Sequence, residues 1–335
     1  MAKSILITGA SGFIGSFLVE EGLAQGYEVW AAVRRTSSRA YLQDERIRFI
    51  ELNLENDAAL SAQLSAHVQE HGAFSGVIHA AGATKCRRVA DFYRINAEAT
   101  GRLAVTLLET GALGADGRLV FVSSLSVYGA LHEIDHLPLR ETDQPQPNTH
   151  YGRSKWQAEC LLAQVPGLNY VVLRPTGVYG PRERDYALMA RSIRRHIDFA
   201  VGFKPQVLTF IYVKDLVQAA FLALTRGRSG AAYVLTDGKS YTSRAFSDLL
   251  QLELGVRRVL HITAPTCVLW LVARIAEAVA RLRGTTSTLN ADKYRIMCQR
   301  NWQADITPAR RDLGYKPAWP LTRGVHDTRE WYRTF

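Results

Sequence analysis

Apolar residues in this chain fall in short runs separated by longer amphipathic stretches. Ile5-Leu6-Ile7, Tyr27 to Val33, Arg46 to Leu52, Val77 onward and Leu119 to Val122 read as five successive strands. An unbroken apolar run is the habit of a parallel strand covered on both faces, and only the third alternates. Between them the period changes to that of a helix. Arg94 to Gly111 reads as one long helix with Leu103, Leu107 and Leu108 in the core. Further helices are expected from Tyr151, over Asp185 to His196 and over Val213 to Thr225, with short strands at Val207 to Ile211 and Tyr233 to Leu235. Strands alternating with helices predict an α/β fold built on a doubly wound parallel sheet.

The first run leads into Thr8-Gly9-Ala10-Ser11-Gly12-Phe13-Ile14-Gly15, a glycine turn opening a helix. Glycines at this spacing allow a tight turn, close backbone approach to a ligand and close packing of helix on sheet, the fingerprint of a Rossmann-type dinucleotide site. Free N–H groups at the helix start then seat a pyrophosphate. The second strand ends in Arg34-Arg35 where an acidic residue would bind both ribose hydroxyls. Arginines there suit a 2′-phosphate, so NADP(H) is expected, with NAD(H) as the alternative. Asn53 is placed to reach an adenine edge. Ala80, Ala81 and Gly82 follow the fourth strand and let a flat ring lie on backbone, while His79 is read as a packed strand residue. Asn96 is expected to bridge backbone or water beneath the site.

The fifth strand delivers Ser123 and Ser124, and Tyr151 and Lys155 lie one turn apart on one helix face. A free tyrosine titrates near ~10, and a neighbouring ammonium together with an oxidised nicotinamide would favour its phenolate. Ser124 would hold the substrate oxygen, Tyr151 would move the proton, and Lys155 would support both tyrosine and ribose.

With 335 residues, 47% of them hydrophobic, the chain can bury a full core. Its net charge of +10 comes from dispersed arginines, which implies a surface favouring anionic ligands and not a nucleic-acid face. Cys86, Cys160, Cys267 and Cys298 have no metal-ligand spacing and read as reduced packing residues. No leader pattern precedes the first strand, and a cytoplasmic location is expected. In Thr263 to Leu282, Arg274, Glu277 and Arg281 fall on one side of a helix and Val268, Leu271, Val272, Ile275 and Val279 on the other. That helix is expected to pack over a substrate pocket or a partner subunit, attachment to a membrane surface being the alternative and a membrane span being excluded.

Together these residues resemble the extended short-chain dehydrogenase/reductases over nearly the whole chain. Thr8-Gly9-x-x-Gly12-x-x-Gly15 resembles their cofactor turn, Ser124 their catalytic serine, and Tyr151-x-x-x-Lys155 their acid/base pair. Arg174 to Pro181, Phe210 to Leu216, and Asp312 to Pro317 with Trp331-Tyr332 resemble later landmarks, and Arg-Pro-Thr-Gly-Val-Tyr-Gly is most similar to the 3β-hydroxysteroid dehydrogenase and dihydroflavonol reductase branch. The resemblance implies a cofactor domain over 1–175 completed by 209–238, a smaller, mostly helical substrate lobe over 176–208 and 239–335, and later strands that extend the sheet. It adds Leu54, Pro175 and Val178 to the cofactor contacts and implies a homodimer through the helices following Asp91 and Tyr151. The activity it implies is hydride transfer between nicotinamide and a secondary alcohol or ketone of a small, fairly apolar molecule. A nucleotide-sugar epimerase is the alternative, and a non-catalytic redox sensor or assembly factor the alternative of another class. Sugar-nucleotide epimerases carry an arginine seven residues before the landmark aspartate and an asparagine three after the strand-ending arginine. Here Leu208 and Gly177 stand in those places, and Ser124 to Tyr128 lacks the Asp-Glu pair of the sugar dehydratases. Arg182 or Arg184 remains able to meet a diphosphate.

Overall fold

A computed structural model describes residues 3–282, 287 and 289–335. Its strands are β1 (Ser4–Thr8), β2 (Glu28–Val33), β3 (Arg48–Glu51), β4 (Phe74–His79), β5 (Leu113–Val122), β6 (Tyr170–Pro175), β7 (Gly177–Tyr179), β8 (Ile197–Val201), β9 (Val207–Leu208), β10 (Phe210–Tyr212), β11 (Ala232–Leu235), β12 (Tyr241–Thr242) and β13 (Leu260–Ala264). Its helices are α1 (Phe13–Ala24), α2 (Asp57–His71), α3 (Val89–Tyr93), α4 (Ala99–Glu109), α5 (His150–Ala163), α6 (Asp185–Arg194), α7 (Val213–Thr225), α8 (Ala245–Glu253), α9 (Thr266–Leu282), α10 (Ala291–Cys298) and α11 (Leu321–Arg333).

Seven parallel strands form the central sheet in the order β11-β6-β5-β4-β1-β2-β3. Both faces are covered at the centre of the sheet, which is why β1, β2, β4 and the second half of β5 are largely apolar, while the edge strand β3, Arg48-Phe49-Ile50-Glu51, keeps charged ends. Ile5 and Ile7 point into one core, and Leu6 points into the other with Leu103, Leu107 and Leu162. The strand order reverses between β1 and β4, and at such a switch point the loops leaving the two strands diverge and open a crevice. The glycine turn and the Ala80-Ala81-Gly82 segment flank it.

Several elements differ from the periodicity. The long helix expected over Arg94 to Gly111 is interrupted: a π-helical turn at Arg94–Glu98 precedes α4. Val207 to Ile211 is not one strand, because Thr209 separates β9 from β10 and turns its hydroxyl to the Trp302 carbonyl. Of the later strands only β6 and β11 extend the central sheet; β10 pairs with β7 and β9 with β12. Short runs such as these satisfy either partner, and the choice is made by what packs beneath them.

Beyond the sheet, α6, α8 and α11 pack together around Tyr179, Tyr186, Phe210 and Phe246, with Tyr186 stacked on Phe246 at 4.5 Å. The closing segment is tied to α7 by Asp215, whose carboxylate accepts from Ala318 N at 2.9 Å and Trp319 N at 3.0 Å. β8 and β13 form a separate parallel ribbon leading into α9.

Candidate active site

The glycine turn is tight for steric reasons. A side chain at Gly15 would place its Cβ 2.0 Å from the Gly9 carbonyl oxygen, and one at Gly9, where φ is +69°, would strike the Ala80-Ala81 backbone at 2.7 Å. Gly12 opens α1 with no side-chain cap, so the first N–H groups remain available to an anion. Ser11, Phe13 and Ile14 lie in or directly after this turn. A cradle that any Cβ would fill, beneath an uncapped helix start, fits a dinucleotide pyrophosphate.

Several of the other expected cofactor residues lie at or just beyond strand ends. Arg34 and Arg35 follow β2, both exposed, and among the described residues neither has an ion-pair partner. Asn53 is exposed, its side-chain oxygen already accepting from Glu55 N at 3.1 Å, and Leu54 is partly buried beside it. Pro175 ends β6 and Val178 lies in β7. Asn96 is fully buried: its carbonyl accepts from Ala83 N at 2.7 Å, and its amide donates to Ala83 O and Ser154 Oγ, each at 2.9 Å. It thereby ties the segment after β4 to α5. His79 is buried between Thr8 Oγ1 at 2.6 Å and Thr100 Oγ1 at 2.9 Å, a packed residue as expected, and burial with the nearby Lys155 cation lowers its pKa to about 3.

Ser124 and Tyr151 come together because α5 begins against the turn that follows β5. Thr149 caps the helix by accepting from Gly152 N at 3.0 Å. At Gly152 a Cβ would lie 2.4 Å from the Ser126 carbonyl oxygen, so glycine is what lets the two backbones touch. Tyr151 lies beside Ser124, whose hydroxyl pulls the phenol pKa down, and Ser124 Oγ accepts from Ser126 N at 3.1 Å. One turn on, Lys155 is buried and donates to the Val122 carbonyl at 2.8 Å, with its ammonium 4.6 Å from the Phe121 ring centre. It borders Gly82, where an added Cβ would stand 3.3 Å from Nζ.

Burial raises the Tyr151 pKa, and the Ser124 hydrogen bond only partly offsets this. Burial also lowers Lys155 to about 8, against the opposing pull of Glu159. The chain by itself therefore holds Tyr151 as a neutral phenol, poised to donate a proton.

Three features were not legible as site residues. Beneath α5, Glu159 receives Arg174 Nη2 at 2.5 Å and Nε at 3.1 Å, together with Ser123 Oγ at 2.5 Å, while Arg174 Nη1 donates to Tyr128 OH at 2.6 Å. Glu159 lies one turn beyond Lys155 on the same face, a spacing that could have flagged it. Asp292 at the start of α10 accepts from Tyr151 N at 3.1 Å. Lys85, Asp185 and Lys293 meet from three distant segments, at 2.5 Å and 3.1 Å, and no local signal joins them.

Two expectations about the surroundings are corrected. Arg182 is committed elsewhere: it donates to Ser16 Oγ at 2.8 Å, pairs with Glu20 at 2.5 Å and stacks over Phe17 and Tyr41. Nor does the apolar side of α9 cover a pocket. Val268, Leu271, Val272, Ile275 and Val279 are 40–55% exposed, and the helix packs through Ala273 and Ala280 instead. Arg281, assigned to its polar side, has its side chain outside the described residues.

The profile of the NAD dependent epimerase/dehydratase family matches residues 5–236. A UDP-glucose 4-epimerase of Vibrio cholerae is 25% identical, the match covering 98% of this chain and 95% of the relative. A decarboxylating sterol-4-alpha-carboxylate 3-dehydrogenase of Dictyostelium discoideum is 24% identical over 93% of this chain and 96% of the relative. Among solved structures, UDP-glucose 4-epimerase of Thermotoga maritima with UDP-glucose superposes with a TM-score of 0.77 at 24% identity, covering 99% of both chains.

Proposed function

The chain belongs to the NAD-dependent epimerase/dehydratase family and is an NAD(P)-dependent enzyme; from that premise we propose that it interconverts a ketone and a secondary alcohol on a small, fairly apolar substrate, with NADP(H) as its preferred cofactor. The observation that carries this reading is the geometry that sets the start of α5 against the turn after β5, with Tyr151 beside Ser124 and one helical turn from the buried Lys155.

The N–H groups at the start of α1 hold the pyrophosphate, Arg34 and then Arg35 the 2′-phosphate, Asn53 and Leu54 the adenine end, and Ala80, Ala81, Gly82, Pro175 and Val178 the nicotinamide end. Bound there, the dinucleotide supplies or takes up the hydride. In the reductive direction Ser124 donates to the substrate carbonyl oxygen and Tyr151 delivers the proton as the alkoxide develops. Lys155 holds the nicotinamide ribose and stabilises the phenolate left behind. Asn96 fixes the Ala83 backbone, so the segment facing the ring does not yield. In the oxidative direction the same groups act in reverse, Tyr151 accepting the proton.

Support for an apolar substrate comes from three positions. Leu208 offers no charge to a diphosphate, Gly177 is covered by the Tyr186 ring, whose hydroxyl would lie 2.4 Å from an added Cβ, and Arg182 is already paired. Arg184 stays exposed, however, and Lys85 and Lys293 share one carboxylate, cations that the second reading below would use. Kinship with UDP-glucose 4-epimerase favours the second reading, a nucleotide-sugar epimerase. A cofactor-oxidation screen over steroid, flavonoid, aliphatic and sugar-nucleotide carbonyls tests the proposal, with Tyr151→Phe as control. Turnover should appear on apolar ketones and fall about 10²–10⁴-fold in the variant. Near-normal turnover in Tyr151→Phe removes the proton relay. Micromolar calorimetric binding of uridine, thymidine or guanosine diphosphate installs the epimerase in its place. The reading places the enzyme in the cytoplasm as a homodimer through α4 and α5, with residues 176–208 and 239–335 as the substrate lobe.

A further inference from the structure

The broad apolar stripe of α9 points away from the protein. Val268, Leu271, Val272, Ile275 and Val279 form one side of the helix, roughly a third of a turn round from Ala273 and Ala280, and each keeps between 40% and 55% of its surface exposed. Ala273 and Ala280 are 1% and 9% exposed, so the helix touches the fold along a narrow seam of small residues. This inverts the usual surface helix, whose apolar stripe faces the core. Trp270 is also exposed, at 51%.

Preceding elements continue the pattern. In the β8–β13 ribbon, Asp198 and His261 face α8, where Asp198 accepts from Ser247 and His261 lies against Arg244. The alternate positions Phe199 and Ile262 are paired in register on the other side, and with Leu260 they are exposed. Between ribbon and helix, Gly202 N donates to the Ala264 carbonyl, and the next residue, Phe203, is 75% exposed at the loop tip beside Lys204. Arg194, Arg195, Lys204, Arg257, Arg258 and Arg274 are exposed on the same segments. The acids there are Asp198, which is buried, and Glu277, which is paired with Arg274.

From this arrangement we infer that α9 and the adjoining ribbon dock on the surface of an anionic lipid bilayer, the apolar stripe lying among the acyl chains and the arginines among the headgroups. A helix with a strong apolar face, a polar flank and cations nearby lies in the interface plane. Exposed cations on the same segments add attraction to anionic lipid. At 17 residues α9 does not cross the membrane, and no helix among the described residues is long and apolar enough to do so. A second copy of the chain fits this face less well, since an isologous contact would bring the same basic segments against each other. α9 packs on α10, whose Asp292 holds the backbone of Tyr151, so docking sets the cleft near the lipid surface. The inference does not depend on which substrate the enzyme takes.

Cosedimentation of the full chain with vesicles tests it, using phosphatidylcholine alone and phosphatidylcholine mixed with phosphatidylglycerol. The protein should bind the mixed vesicles, bind neutral ones less, and lose affinity as salt is raised. Leu271→Glu with Ile275→Glu should weaken binding at least about tenfold while thermal unfolding stays unchanged. The milder pair Leu271→Ala and Ile275→Ala, which leaves packing and charge intact, should lose a smaller factor and serves if the first pair fails to fold. Absence of binding to the mixed vesicles, or undiminished binding by these variants, overturns the inference. So does a dimer in sedimentation velocity that the same substitutions split, since a second copy would then cover the face.

Discussion

Lys155 carries a charge that its surroundings oppose. Burial holds it at about 8, and a profile of kcat/KM against pH reports the free enzyme. Reductive kcat/KM should therefore decline as pH rises through about 8, where the ammonium is lost. In Lys155→Arg any residual activity should lack this limb, because the guanidinium stays charged. An unchanged limb in that variant would assign the ionisation to another group. His79 sets the behaviour in acid. Its folded pKa of about 3 lies below the ordinary histidine value of 6.5, so the unfolded chain binds more protons between these values. Stability contributed by the neutral imidazole is present above pH 6.5 and lost as pH falls toward 3. Replacing His79 by Gln should flatten the dependence of the urea midpoint on pH across that window, and an equally steep dependence would exclude it. At the cofactor, Arg34→Ala should reduce the preference for NADP over NAD about ten- to hundredfold, the value of a charge-assisted hydrogen bond of roughly 1.5–3 kcal/mol. Titration of both dinucleotides checks this, and an equal preference before and after the change would refute it.

At the scale of elements, the start of α5 converts a chain segment into a site. Its cap, Thr149, and its contact with the Ser126 carbonyl at Gly152 together hold Tyr151 beside Ser124. A methyl at Gly152 would have to displace backbone, for its Cβ would meet that oxygen at 2.4 Å. Gly152→Ala should therefore destabilise by about 1–3 kcal/mol and lower turnover out of proportion to the loss in melting temperature. Equal turnover per folded molecule would show that the contact sets stability alone. The π-helical turn before α4 acts similarly: it aims Asn96 inward, where its amide joins Ala83 to Ser154.

Across the whole molecule, the Glu159–Arg174 pair joins α5 to β6 beneath the site, with both side chains about 95% buried. A buried pair adds little over an apolar substitute, but removing one partner leaves an uncompensated charge. Glu159→Gln should thus cost about 3–5 kcal/mol in urea unfolding, and Arg174→Met a similar amount. A loss below about 1 kcal/mol in both would mean that water reaches the site. Asp215 plays the corresponding part at the far end, fixing the backbone of Ala318 and Trp319 so that the closing segment seals the lobe. This accounts physically for two of the sequence landmarks: one supplies the carboxylate and the other leads into the backbone it holds.

Residues close in sequence were enough to determine the strand and helix alternation, the glycine turn, and Tyr151 one turn from Lys155. Their patterns are local: side-chain polarity at a fixed period sets the elements, and backbone sterics set the glycine turn. A parallel sheet over the first five strands follows from the same source, whereas its extension by β6 and β11 is implied only by the family resemblance. Long-range packing decided the remainder. Whether the strand expected over Val207 to Ile211 formed as one or two depended on Trp302, far along the chain. The upward push on the Tyr151 pKa came from burial, which spacing does not encode. The meeting of Lys85, Asp185 and Lys293 required three segments to converge. Above all, the periodicity of α9 defined an apolar side without saying which way it faced. Only the packing of Ala273 and Ala280 against the fold turned that side outward, because orientation is a property of what a helix rests on.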